Sequence, residues 1–178
     1  MQGIRSKRWS EENEMNPENS PALESNARCL ILACGNTMRG DDGLGPRLAS
    51  WAEARFRNEP RALVICRQQW TPELAAEIAA ADSVLFIDAA VNSPPGRVGL
   101  VPVSSRVDAS APDSHHLTPN QLLGLTRSLY GVIKSNAMLL TGGIASTELG
   151  ETLSASVEAA LPRAQGILEK AVLRFLLN

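Results

Sequence analysis

The stretch Cys29-Leu30-Ile31-Leu32-Ala33-Cys34-Gly35-Asn36-Thr37-Met38-Arg39-Gly40-Asp41-Asp42-Gly43-Leu44-Gly45-Pro46 joins a short apolar run to a glycine-rich turn with two adjacent carboxylates. An apolar run without alternation reads as a strand covered on both faces, as in a parallel sheet. Pro46 suits the first turn of a helix, and Leu48, Ala49, Trp51, Ala52 and Phe56 give that helix an apolar face. Asp41 and Asp42 therefore stand between the carboxyl end of a strand and the start of a helix, where open α/β sheets place their ligands. The plainer alternative is a tight turn whose acids favour the positive end of the helix dipole. The spacing matches neither a GxGxxG fingerprint nor a phosphate loop, and two acids in a row suit a cation or a polar substrate better than a phosphate.

Outward from this turn the chain alternates strands and helices. Ala62 to Cys66 reads as a second strand. Thr71-Pro72-Glu73 reads as a helix start, with Thr71 as N-cap and Pro72 at the first helical position, leading Leu74 to Ala80. Ser83 to Ala90 is a buried strand that carries an acid, Asp88, near its end. Pro94-Pro95-Gly96 is a turn, Val98 to Val103 a short strand, and 104–114 a polar loop. Thr118-Pro119-Asn120-Gln121 is a capping box that opens a helix to about Tyr130. Ala137 to Thr141 is a strand running into Gly142-Gly143. Val157, Leu161, Ala164, Leu168, Val172 and Phe175 mark a C-terminal helix over about 154–177, weakened or bent early by Pro162 and Gly166. The pattern predicts a three-layer α/β fold, a mostly parallel, twisted sheet of about five strands flanked by helices on both faces.

A chain of 178 residues with 44% hydrophobic content can hold one good core. The balance of 17 basic against 19 acidic residues gives no electrostatic case for nucleic acid or a membrane surface as partner. Cys29, Cys34 and Cys66 lie in apolar runs without a CxxC pair, so reduced thiols and a cytoplasmic location are expected rather than a disulfide or zinc framework. No apolar stretch approaches the roughly 18 residues of a membrane span. Residues 1–27 are polar, rich in Glu, Asn and Ser, and lack an apolar h-region; they read as a disordered extension outside a single domain over 28–178.

Three places compete for the chemistry: the Asp41-Asp42 pair, Asp88 at its strand end, and Ser114-His115-His116-Leu117, which holds both histidines of the chain. Each has an ordinary alternative, as a turn residue, a cap or a satisfied surface histidine. Convergence favours function, because in a parallel sheet the ends of the first and third strands share one edge and the histidine loop can reach it. Carboxylates plus imidazole make a mixed O/N site for a divalent transition metal such as nickel, zinc, copper or iron. Three protein ligands would leave coordination positions open to a substrate.

From about Arg28 to Leu177, three features resemble the endopeptidases that mature the large subunit of NiFe hydrogenases. They are the run from Gly35-Asn36 to Asp41-Asp42-Gly43-Leu44-Gly45, the strand end Phe86-Ile87-Asp88-Ala89, and the His115 loop before a leucine-rich helix. The resemblance implies a twisted parallel-type sheet and an activity that removes a C-terminal extension from the large-subunit precursor once nickel is inserted. It implies Asp42, Asp88 and His115 as both metal-contacting and catalytic residues, with Asp41 shaping the turn. His115 is preferred over His116 because Leu117 and the helix then fall into the family's register. Nickel carried by the substrate is the implied metal, with zinc or another divalent ion able to occupy the same ligands. The implied partner is the hydrogenase precursor, and the expected state is a monomer. The enzyme would be aspartic-type by analogy, with a metal-polarised water or a water deprotonated by an acid as attacking group. Cys34 is a poor nucleophile candidate in its apolar run. Ala33 departs from the glycine common in the family. Two other readings use the same residues: a metallohydrolase with a permanently bound metal acting on a small substrate, and a non-enzymatic metal-centre assembly chaperone.

Overall fold

A computed structural model of the chain describes residues 29–105, 117–132, 134 and 136–177. The strands β1 (Cys29–Cys34), β2 (Ala62–Arg67), β3 (Ser83–Ala90), β4 (Val98–Pro102) and β5 (Ala137–Gly143) form one sheet in the order β2-β1-β3-β5-β4. β1, β2, β3 and β5 run parallel, and β4 pairs antiparallel with β5 at the edge. The helices are α1 (Leu44–Arg55), α2 (Leu74–Ala80), α3 (Pro119–Tyr130) and α4 (Ala155–Leu177).

Every residue of β1 is buried, and its side chains go alternately to two cores. Cys29, Ile31 and Ala33 join Leu85 and Ile87 of β3 against α1 and α4. Leu30, Leu32 and Cys34 join Val84 and Phe86 against α2 and α3. Burial on both faces is why β1 reads as an unbroken apolar run, and each large side chain so buried contributes about 1.5–3 kcal/mol. From β1 the chain passes through α1 to β2 on one side, then through α2 to β3 on the other. Strand order thus reverses between β1 and β3, and a crevice opens beyond their carboxyl ends. The register Ala33 to Ile87 brings the following residues, Cys34 and Asp88, to that same edge.

Some boundaries differ from those read in the sequence. β2 extends to Arg67, and β4 stops at Pro102. The seven residues between β3 and β4 are too few for the crossover that a parallel neighbour requires, so β4 reverses direction. α2 begins at Leu74 rather than after Thr71, because the amides of Leu74, Ala75 and Ala76 reach back three residues to Thr71, Pro72 and Glu73 in a tighter turn. The Thr118 capping box is formed: Gln121 N–H donates to Thr118 Oγ1, and Thr118 N–H donates to Gln121 Oε1. α4 runs on through Pro162. The expected polar extension over 1–27 lies outside the described residues. Among the described residues no helix is long and apolar enough to cross a membrane.

Candidate active site

The turn after β1 folds back on the strand it leaves. Gly35 sits at φ 144°, and a Cβ there would stand 2.0 Å from the main-chain oxygen of Asp42. A Cβ on Gly45 would stand 1.9 Å from the main-chain oxygen of Cys34. Only glycine permits both approaches. Gly35→Ala is expected to cost about 2 kcal/mol or more in urea denaturation; a variant as stable as the parent would contradict this packing.

A short 3-10 turn, Gly40–Gly43, then sends the two acids into opposite surroundings. Asp41 is 1% exposed. Its carboxylate accepts from the backbone amides of Ala145 (2.8 Å), Ser146 (3.2 Å) and Ser154 (2.6 Å) and from the Ser154 hydroxyl (2.8 Å). Burial works against its charge, but the donors from Ser154, Ala145 and Ser146 outweigh it and hold the carboxyl below its ordinary range. Asp41 is thus a tie between the turn and the start of α4. Asp42 is half-buried and accepts from the Asn36 amide at 2.8 Å.

Asp42 and Asp88 line one open cleft of about 670 Å³. Its walls come from the β1 turn, the β2–α2 loop, the end of β3 and the start of α3, with Arg39 and Arg67 also among its lining residues. Asp88 Oδ1 accepts from the Ala89 amide at 2.9 Å. Burial pushes the Asp88 carboxyl up to about 6 against the Ala89 hydrogen bond, with the charge of Asp42 adding to the rise and the Trp70 indole opposing it. A carboxyl titrating there can both hold and accept a proton near neutral pH.

Cys34 also lines the cleft, and its thiol donates to the Gln68 carbonyl at 3.4 Å. Burial, then the charges of Asp88 and Asp42, push that thiol up to about 12, which makes it a poor nucleophile. His115 and His116 lie outside the described residues. Leu117, Thr118 and Pro119, which follow them, line the cleft. Among the described residues no three His, Cys, Asp or Glu side chains gather into a group that could hold a metal ion. The sequence reading missed the contribution of Arg67, Gln68, Gln69 and Trp70. The rule that singled out Asp41-Asp42 and Asp88 would have found it, because β2 ends at the same edge.

The five-stranded, mostly parallel sheet with a cleft at its switch point has an α/β fold that solved hydrogenase maturation proteases share. The hydrogenase maturating endopeptidase HybD from E. coli matches with a TM-score of 0.65 at 20% identity, over 83% of this chain and 93% of that one. The NiFe hydrogenase maturation protease HycI from Thermococcus kodakarensis KOD1 matches with a TM-score of 0.60 at 27% identity, over 85% of this chain and 94% of that one. HybD from the same archaeon matches with a TM-score of 0.60 at 26% identity, over 80% and 97%. Many of the similar structures are hydrogenase maturation endopeptidases, so the resemblance read from the turn and the strand end holds at the level of fold. No family model matches the sequence, and neither does any curated protein.

Proposed function

We propose that this chain is an endopeptidase that removes the C-terminal extension of a NiFe hydrogenase large-subunit precursor after nickel insertion. The observation that carries this reading is the meeting of Asp42 and Asp88 in one cleft at the switch point of a fold shared with maturation proteases. Nickel enters as part of the substrate, held by the precursor. Asp42, Asp88 and His115 complete its coordination, since carboxylate and imidazole both serve a divalent transition metal. Leu117, Thr118 and Pro119 form part of the cleft wall.

For the bond cleavage, Asp88 is the proton carrier, its charged carboxylate accepting the proton and then releasing it. It takes a proton from the water that attacks the scissile carbonyl and returns it to the leaving amine. The products are a new C-terminal carboxylate on the large subunit and a released peptide. The reaction belongs in the cytoplasm, where thiols such as Cys29, Cys34 and Cys66 stay reduced.

The test is to incubate the protein with nickel-loaded and nickel-free precursor and to weigh the large subunit before and after. A short C-terminal peptide is expected to leave only the loaded form, with His115→Ala inactive and His116→Ala active. Equal cleavage of both forms would remove the nickel gate, and cleavage of neither would remove the protease.

A further inference from the structure

We propose that Trp70 is a positioning residue whose indole N–H holds the Asp88 carboxylate in the orientation used on the substrate. This inference rests on the role assigned to Asp88 above. Trp70 is 6% exposed, and its Nε1 is buried without a hydrogen-bond partner. An unmet buried donor costs about 1–3 kcal/mol, so a second state in which it is met is the natural reason to keep it.

The ring is not free to seek other partners. It packs edge-on against Phe86, with centroids 5.6 Å apart and planes at 90°. Phe86 and Asp88 are two residues apart on β3 and so project from the same face of the sheet. The indole therefore lies over the face that carries Asp88, and both residues line the cleft. In this structure no hydrogen bond joins the indole N–H to the carboxylate. Asp88 is already held at Oδ1 by the Ala89 amide, which leaves Oδ2 to turn toward the indole. Hydrogen bonds of this kind are often poorly aligned in an empty site and tighten when substrate fills it.

Removing the N–H alone isolates the effect. β-(3-Benzothienyl)alanine, incorporated at position 70 only, keeps the shape and apolar surface of tryptophan and replaces N–H by sulfur. Loss of a group that orients a site carboxylate typically costs about 10–100-fold in activity. We expect that fall in kcat for processing of nickel-loaded precursor, with KM little changed and the unfolding midpoint no lower than that of the parent. Trp70→Phe, which also removes the N–H, should show the same fall in kcat. Asp88→Asn is measured alongside. If Asp88→Asn is inactive while the benzothienyl protein keeps the parental kcat, the role of Trp70 is overturned and that of Asp88 stands. A rise in KM at constant kcat would make the indole a substrate contact instead and also overturn the proposal. Full activity in Asp88→Asn would overturn the assignment of Asp88, and this inference with it.

Discussion

Asp88→Asn is expected to abolish precursor processing and, at the same time, to make the folded protein harder to unfold above about pH 6. Asparagine keeps the shape of the carboxylate but can neither exchange a proton nor bring a charge to nickel. The stability gain follows from the direction of the Asp88 shift. Its carboxyl titrates at about 6 in the fold against an ordinary value of 3.8. Below 3.8 it is protonated in both states and nothing is lost. As pH rises through about 6 the folded state must carry a charge that burial disfavours, and the stability present at low pH disappears. The difference corresponds to about 3 kcal/mol at most, and to less where the open cleft admits water. Urea denaturation should therefore show variant and parent nearly equal at pH 4 and the variant ahead at pH 8. In thermal unfolding the lead is about 2–4 °C per kcal/mol for a domain of this size. A variant no more stable than the parent at pH 8 would refute the origin assigned to the shift. Retained processing would refute the role. The exchange of stability for activity is common where a site keeps a carboxylate in poor solvent.

The sheet was legible because its strands are covered on both faces. β1 and β3 are short apolar runs with no alternation, and the Thr118 box and the apolar face of α1 mark the helices between them. The edge of the sheet was less legible. β4 differs from a parallel strand only in the length of the link before it, and Thr71-Pro72 carries helix-start chemistry that the structure uses for a tighter turn. For the site, the strand-end rule located the Asp41-Asp42 pair and Asp88, and it reaches the β2–α2 loop only once the sheet order is known, since Gln68, Gln69 and Trp70 match no motif. Nor could the residues alone separate Asp41 from Asp42. That distinction depends on three amides more than a hundred residues away, those of Ala145, Ser146 and Ser154.

The adjacent acids should accordingly fail in opposite ways. Asp41→Ala leaves the amides of Ala145, Ser146 and Ser154 without their acceptor in a site that is 1% exposed. Such a loss costs about 3–5 kcal/mol, which lowers the unfolding midpoint by roughly 6–20 °C. Its carboxyl is held below 3.8, so the stability it supplies is complete above that pH and lost as pH falls through the folded value. Asp41→Asn should therefore lack the part of the parent's acid-induced loss that Asp41 supplies, in addition to being weaker at pH 7. Asp42→Ala removes a half-buried carboxylate that accepts a hydrogen bond from the Asn36 amide. Its unfolding free energy should stay within about 1 kcal/mol of the parent, while processing of nickel-loaded precursor is lost. Thermal unfolding and the mass assay on the two variants decide the matter. If Asp41→Ala unfolds like the parent, or if Asp42→Ala still trims the precursor, the division of labour between the two acids is wrong. The turn would then hold its substrate in some other way than by one acid tying it to α4 and the other facing the cleft.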